Sequence, residues 1–217
     1  MTARKRTAVL ISGRGTNLQA LIDAAADPAY PAEIALVLSN VADAPGLDRA
    51  ARAGIATKTI SHREHPTRES FDGAVEADLF AERIEIVCLA GFMRILSDGF
   101  VRHRQGCIIN IHPSLLPAFK GLHVHRQVLE SGVRISGCTV HFVVPELDSG
   151  PVIAQAAVPV LDGDDEDSLA ARTLEAEHRL YPIALRLLAE GRVKLEGSHA
   201  RFADMKANTG ILLNPII

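Results

Sequence analysis

Strand-like and helix-like segments alternate through the first half of the chain, and the strand-like runs are mostly continuous in apolarity rather than alternating. A glycine-rich turn joins the first of these runs to the first helix. Together these features predict an α/β fold on an open, mostly parallel sheet, because continuous apolarity marks strands covered by helices on both faces. With 217 residues, 47% of them hydrophobic, the chain can bury a sizeable core in one domain.

The parallel strands are expected at residues 7–11, 34–39, 57–60, 84–89 and 107–111, each short and mostly rich in Val and Ile. Helices are expected between them at 18–26, 47–53, 67–82 and 98–104. Right-handed crossovers then bring the strand ends and following loops to one rim. The second half changes style. A helix at 124–130 precedes two β-rich runs, 139–144 and 152–158, which are expected to pair antiparallel and extend the sheet. Their link, Pro145 to Pro151, is polar and proline-bracketed, hence a loop. An acidic, solvated stretch at 162–167 caps a long helix from about 168 to 189. A short hairpin at 193–202 and a loosely held tail complete the chain. The expected architecture is a Rossmann-like sheet flanked by helices and extended by a C-terminal β-hairpin-like pair.

Lys and Arg total 23 against 26 Asp and Glu, so no basic excess points to a polyanionic partner. Trp 0, Tyr 2 and Phe 7 leave little for a nucleic-acid stacking surface. Cys88, Cys107 and Cys138 form no CxxC pair and read as buried small hydrophobes. The apolar run after the basic start stops at Ser12-Gly13, too short for a signal peptide, and no apolar stretch spans a bilayer. The expectation is a cytoplasmic protein with small-molecule partners, no nucleic acid and no membrane. A homodimer is compatible with the sequence, which identifies no interface.

Chemistry concentrates at a few places. Ser12-Gly13-Arg14-Gly15-Thr16-Asn17 follows the first strand, where helix-opening amides can hold one phosphate or the residues can simply make a tight turn. The pattern is neither GxGxxG nor GxxxxGK[ST], so neither a dinucleotide nor a nucleoside triphosphate is its natural ligand. Asn110 and His112 are two apart at the end of an apolar strand, so both point to one face. Asp148, beyond a second β-like run, can return to the imidazole. An amide donor for a developing oxyanion, an imidazole to relay a proton and a carboxylate to hold it suit acyl transfer.

The remaining candidates are weaker. Phe92-Met93-Arg94-Ile95-Leu96 reads as one wall of an apolar pocket or as plain helix packing. His141 leads towards Asp148 and faces either the cleft or the core. His123 and His125 lack the partners of a zinc site, so no metal is expected. Glu177 and His178 read as a solvated pair on the long helix.

At these residues the chain resembles the phosphoribosylglycinamide formyltransferase family. The resemblance covers nearly the whole chain: Leu10 to Gln19, the run Asn110-Ile111-His112-Pro113-Ser114-Leu115-Leu116-Pro117, its continuation Phe119 to His123, and the stretch from Gly137 to Ile153 containing Asp148. It implies formyl transfer from 10-formyltetrahydrofolate, as co-substrate, to the amine of glycinamide ribonucleotide, with no metal and no covalent enzyme intermediate. It implies that Asn110, His112 and Asp148 are catalytic, that Gly15, Thr16 and Asn17 hold phosphate, and that Glu177 binds ribose hydroxyls. Folate contacts are implied at Arg68, Met93, Arg94, Ile95, Leu96, Asn110, His141 and Val143. A single domain, 1–217, would comprise a ribonucleotide-binding half, 1–111, and a folate-side, closing half, 112–217. Pro145 and Ser149 depart from the family, which frequently has an acidic residue and a glycine there. A deformylase would resemble the same core but usually carries an N-terminal regulatory domain, and a formyltransferase for initiator methionyl-tRNA adds a C-terminal RNA-contacting domain. Neither extra domain is expected here.

Overall fold

The computed structural model describes residues 3–204, 210, 213 and 214. Nine strands are described: β1 (Lys5–Ile11), β2 (Ala32–Ser39), β3 (Ala56–Thr59), β4 (Ile86–Leu89), β5 (Ile108–His112), β6 (Ile135–Phe142), β7 (Val152–Pro159), β8 (Val193–Glu196) and β9 (His199–Phe202). The helices are α1 (Thr16–Ala25), α2 (Pro45–Arg52), α3 (Arg68–Ala81), α4 (Asp98–His103), α5 (Val124–Ser131) and α6 (Glu166–Ala189). Seven strands form one sheet in the order β3-β2-β1-β4-β5-β6-β7. The first five are parallel; β6 and β7 continue it antiparallel, as the sequence predicts. The hairpin expected at 193–202 is β8 and β9. The tail after it lies mostly outside the described residues.

The period of two along each strand feeds two cores. Val9 and Ile11 face Leu18 and Leu21 of α1 and Tyr181 and Leu185 of α6, whereas Ala8 and Leu10 face Phe71, Val75 and Leu79 of α3. Tyr181 fastens α6 across the sheet, its hydroxyl donating to the carbonyls of Leu89 (2.9 Å) and Ile109 (3.1 Å). Capping boxes start α3 at Thr67 and α6 at Asp165.

Four expectations need correction. β3 is exposed throughout rather than covered on both faces, because it is the sheet edge. β6 begins at Ile135, ahead of the predicted 139, because Ser136 to Cys138 pair with β7. Cys107 is exposed, since the chain is still turning into β5 at that point. Within the acidic stretch, Asp164 is not solvated: its side chain is 5% exposed and grips the Arg172 guanidinium through both oxygens. Among the described residues no helix is long and apolar enough to cross a membrane.

Candidate active site

The C-terminal ends of β4 and β5, the segment after β4 and the loop after β6 enclose a cleft of about 660 Å³. Met93, Arg94, Ile95 and Leu96 form one wall, and Val143 to Asp148 form a lip of the same cleft. That first wall is irregular chain rather than a packed helix. It leaves Met93 and Ile95 more than half exposed while Phe92 and Leu96 anchor it in the core. Asn110, His112, His123, His125 and His141 also line it.

Asn110 and His112 occupy alternate positions of β5, and their cross-strand partners on β6 are His141 and Thr139. His112 and Asp148 are brought together: His112 Nδ1 lies 3.5 Å from Asp148 Oδ2, with the two side chains only 6% and 8% exposed. Asp148 adopts φ 48°, in the left-handed region that Asp tolerates better than most residues, and this turns its carboxylate inward. Its Oδ2 also accepts the Gly121 N–H at 2.9 Å. Oδ1 lies 4.0 Å from His141 Nε2.

The other nitrogen of His112, Nε2, lies 2.9 Å from the carbonyl of Phe119, so it donates there. Phe119, Gly121 and His123 all have positive φ, and this coiled turn carries the Phe119 carbonyl and the Gly121 N–H back to the cleft. Sequence reasoning missed both groups. Gly121 carries a faint signal, as a glycine at a left-handed position; Phe119 carries none. His141 is buried, and burial, outweighing its bond to Phe142 and the nearby Asp148 charge, lowers its pKa from the ordinary imidazole value. Burial likewise lowers the pKa of His125.

A second group of side chains gathers where α1 begins. Gly15 is the residue before α1, at φ 68°, and a Cβ there would lie 2.7 Å from Gly46 Cα, so two backbones meet where no side chain fits. No side chain caps α1, leaving its first-turn amides to other acceptors. Asn17 instead donates to Glu177 Oε2 at 2.7 Å. Glu177 is therefore not the solvated group expected on α6. It is 7% exposed, and burial raises its pKa against the opposing Asn17 hydrogen bond. Thr173, one turn earlier and fully buried, leaves its hydroxyl without a partner, as Asn17 does its carbonyl oxygen. Helical spacing alone gave no sign that this face of α6 meets α1.

Ser12 joins the two regions: its hydroxyl donates to Asn40 Oδ1 (2.6 Å) and accepts the Met93 N–H (2.7 Å). Arg68 opens α3 as an exposed side chain and does not line the cleft. Among the described residues no cluster of three or more His, Cys, Asp or Glu is placed to hold a metal ion.

A family model described as formyl transferase matches residues 5–185. Phosphoribosylglycinamide formyltransferase of Escherichia coli (strain K12) is 50% identical over 194 residues, covering 88% of this chain and 91% of that protein. Trifunctional purine biosynthetic protein adenosine-3 of Gallus gallus is 54% identical over 194 residues, but the chain spans only 19% of its length. In the corresponding protein of Drosophila pseudoobscura pseudoobscura the matched share is 14%. Among solved structures, glycinamide ribonucleotide transformylase 1 from Symbiobacterium toebii superposes with a TM-score of 0.91 at 48% identity, covering 94% of this chain and 96% of that one.

Proposed function

The chain belongs to the formyl transferase family, and we propose that it transfers the formyl group of 10-formyltetrahydrofolate to the primary amine of glycinamide ribonucleotide. The products are N-formylglycinamide ribonucleotide and tetrahydrofolate. The observation that carries this reading is the meeting of His112 and Asp148 beside Asn110, at the end of a cleft with an apolar wall. Likeness to the Escherichia coli formyltransferase along nearly the whole of both chains supports the choice of acceptor.

The amine attacks the formyl carbon directly, forming a C–N bond while the carbonyl π electrons move to oxygen. Asn110 and His112 donate to that oxyanion, which competes for the His112 Nε2–H with the neutral Phe119 carbonyl, the weaker acceptor. The nitrogen that attacked now carries an extra proton. Asp148, with Oδ1 not engaged by Gly121, takes that proton directly or through water, and the proton ends on N10 of the folate as the old C–N bond breaks. Atoms and charge balance without a metal or a covalent enzyme intermediate.

In this reading the turn Gly15, Thr16 and Asn17 holds the ribonucleotide phosphate on the uncapped amides of α1. Glu177, already accepting from Asn17, receives the ribose hydroxyls. Met93 to Leu96, Val143 and the lip to Asp148 frame the pterin, with His141 at its inner end and Arg68 available to the outer, anionic part of the folate. Residues 1–111 supply the phosphate turn and residues 112–217 the closing lip, within one domain.

The deciding experiment offers 10-formyltetrahydrofolate with and without glycinamide ribonucleotide and identifies the formylated product. Formyl transfer that requires the ribonucleotide is the expected result; formate release without it would instead mark a deformylase.

A further inference from the structure

Asn110 and His141 face each other across β5 and β6, so their side chains share one face of the sheet. The His141 ring is held at both nitrogens: Nδ1 lies 2.9 Å from the Phe142 carbonyl and Nε2 lies 3.2 Å from Asn110 Nδ2. A carbonyl only accepts, so Nδ1 carries the proton. The neutral ring then presents a lone pair at Nε2, and only the N–H end of a carboxamide can meet it. One Asn110 N–H is thereby spent on His141, and the second remains for the cleft. With the amide reversed, its oxygen would stand in that place and repel a developing oxyanion.

The Phe142 carbonyl depends in turn on Gly150. A Cβ on Gly150 would fall 1.7 Å from Phe142 O and 3.3 Å from His141 Nδ1. The returning loop is pinned against that carbonyl, since the Phe142 N–H donates to Pro151 O at 2.9 Å. No side chain can enter without moving the carbonyl or the loop.

We propose that Asn110 is oriented as a donor by a relay from the Phe142 carbonyl through His141, and that Gly150 is the positioning residue whose bare Cα lets the relay close. The proposal rests on the formyl-transfer reading above. Neither His141 nor Gly150 needs to touch the reacting atoms for the relay to act.

The test measures kcat and both KM values for His141→Leu, His141→Gln, Gly150→Ala and the double variant His141→Leu/Gly150→Ala. Leu keeps similar bulk but removes the acceptor, so kcat should fall about 10- to 100-fold with the ribonucleotide KM within about twofold. Gln places an amide near the Nε2 position; the Asp148 carboxylate draws its NH2 end and leaves its oxygen for Asn110, so most of the loss should be recovered. Gly150→Ala should lower kcat in the same way, and in the double variant it should add little, because both changes break one relay. If Gly150→Ala does not fold, the Leu and Gln pair decides alone. Wild-type kcat in His141→Leu, no recovery with Gln, or additive losses in the double variant would overturn the relay. A wild-type enzyme that formylates no ribonucleotide would remove the function itself and the relay's catalytic role with it, an outcome distinct from the others.

Discussion

The turn between β1 and α1 and the cluster around His112 both sit at the C-terminal rim of the sheet, yet they are built in opposite ways. The turn is mostly consecutive chain: its residues run from a buried strand into an uncapped helix, with a few distant supports, among them the Gly46 N–H donating to Gly13 O at 3.0 Å and Glu177 accepting from Asn17. The His112 cluster is assembled from afar. Its imidazole comes from β5, its carboxylate from the lip after β6, and its flanking carbonyl and N–H from the turn at Phe119 and Gly121. The turn's anion-holding amides come from one stretch of chain, whereas the His112 cluster fails when any of its separate contributors shifts. Binding and chemistry should therefore respond to different substitutions.

The largest effect is expected at the assembled end. Replacing Asn110 or His112 by Ala should lower turnover by about 100- to 1,000-fold, the scale of one oxyanion donor. Titration calorimetry with glycinamide ribonucleotide should meanwhile show binding within about twofold. Equal losses in binding and turnover would erase the division between the two ends.

At the local end, Gly15→Ala meets both a left-handed backbone and a Cβ 2.7 Å from Gly46 Cα. It should cost about 1–3 kcal/mol, seen as a raised ribonucleotide KM and a lower Tm, with kcat at saturation largely kept.

A smaller, pH-dependent effect is expected at Glu177. Burial raises its pKa above the ordinary 4.5, so the folded state binds its proton more tightly than the unfolded chain does. Protonated Glu177 is thus tolerated at low pH, and its ionisation costs stability as pH rises from about 4.5 through the raised value. Glu177→Gln keeps an oxygen for Asn17 and removes that cost. In thermal melts its Tm relative to wild type should climb across this window; a constant difference would contradict the burial argument. The smallest effect is expected at Asp165→Ala, which removes the α6 cap, costs about 1 kcal/mol, and should leave kcat unchanged.

The same division explains what could be read from the sequence. The five parallel strands, the antiparallel pair and the Asn110–His112 face follow from apolar runs and the period of two, which are local patterns. Asp148 was legible only as a candidate, because its approach depends on a left-handed residue within a nine-residue loop between β6 and β7, residues 143–151. Glu177 was misread as solvated, since helical spacing does not say which face of α6 meets α1. The exposure of β3 differs: its place at the sheet edge is a property of strand order, but Thr57, Lys58 and Thr59 already carry a polar signal at odds with a strand covered on both faces. The Phe119 carbonyl lies in backbone geometry that side-chain identity does not encode, the Gly121 N–H is signalled only faintly, and the Asn110–His141 bond depends on the register of β5 against β6.

The most direct measurement is a single-turnover experiment on Asp148→Asn, with 10-formyltetrahydrofolate and saturating glycinamide ribonucleotide. The substitution keeps the side chain's shape and removes its ability to take a proton. The account predicts that the rate of formyl transfer falls by about 100-fold or more while ribonucleotide affinity stays within about twofold. A wild-type transfer rate in that variant would show that the carboxylate facing His112 carries no proton, and the proposed chemistry would be wrong.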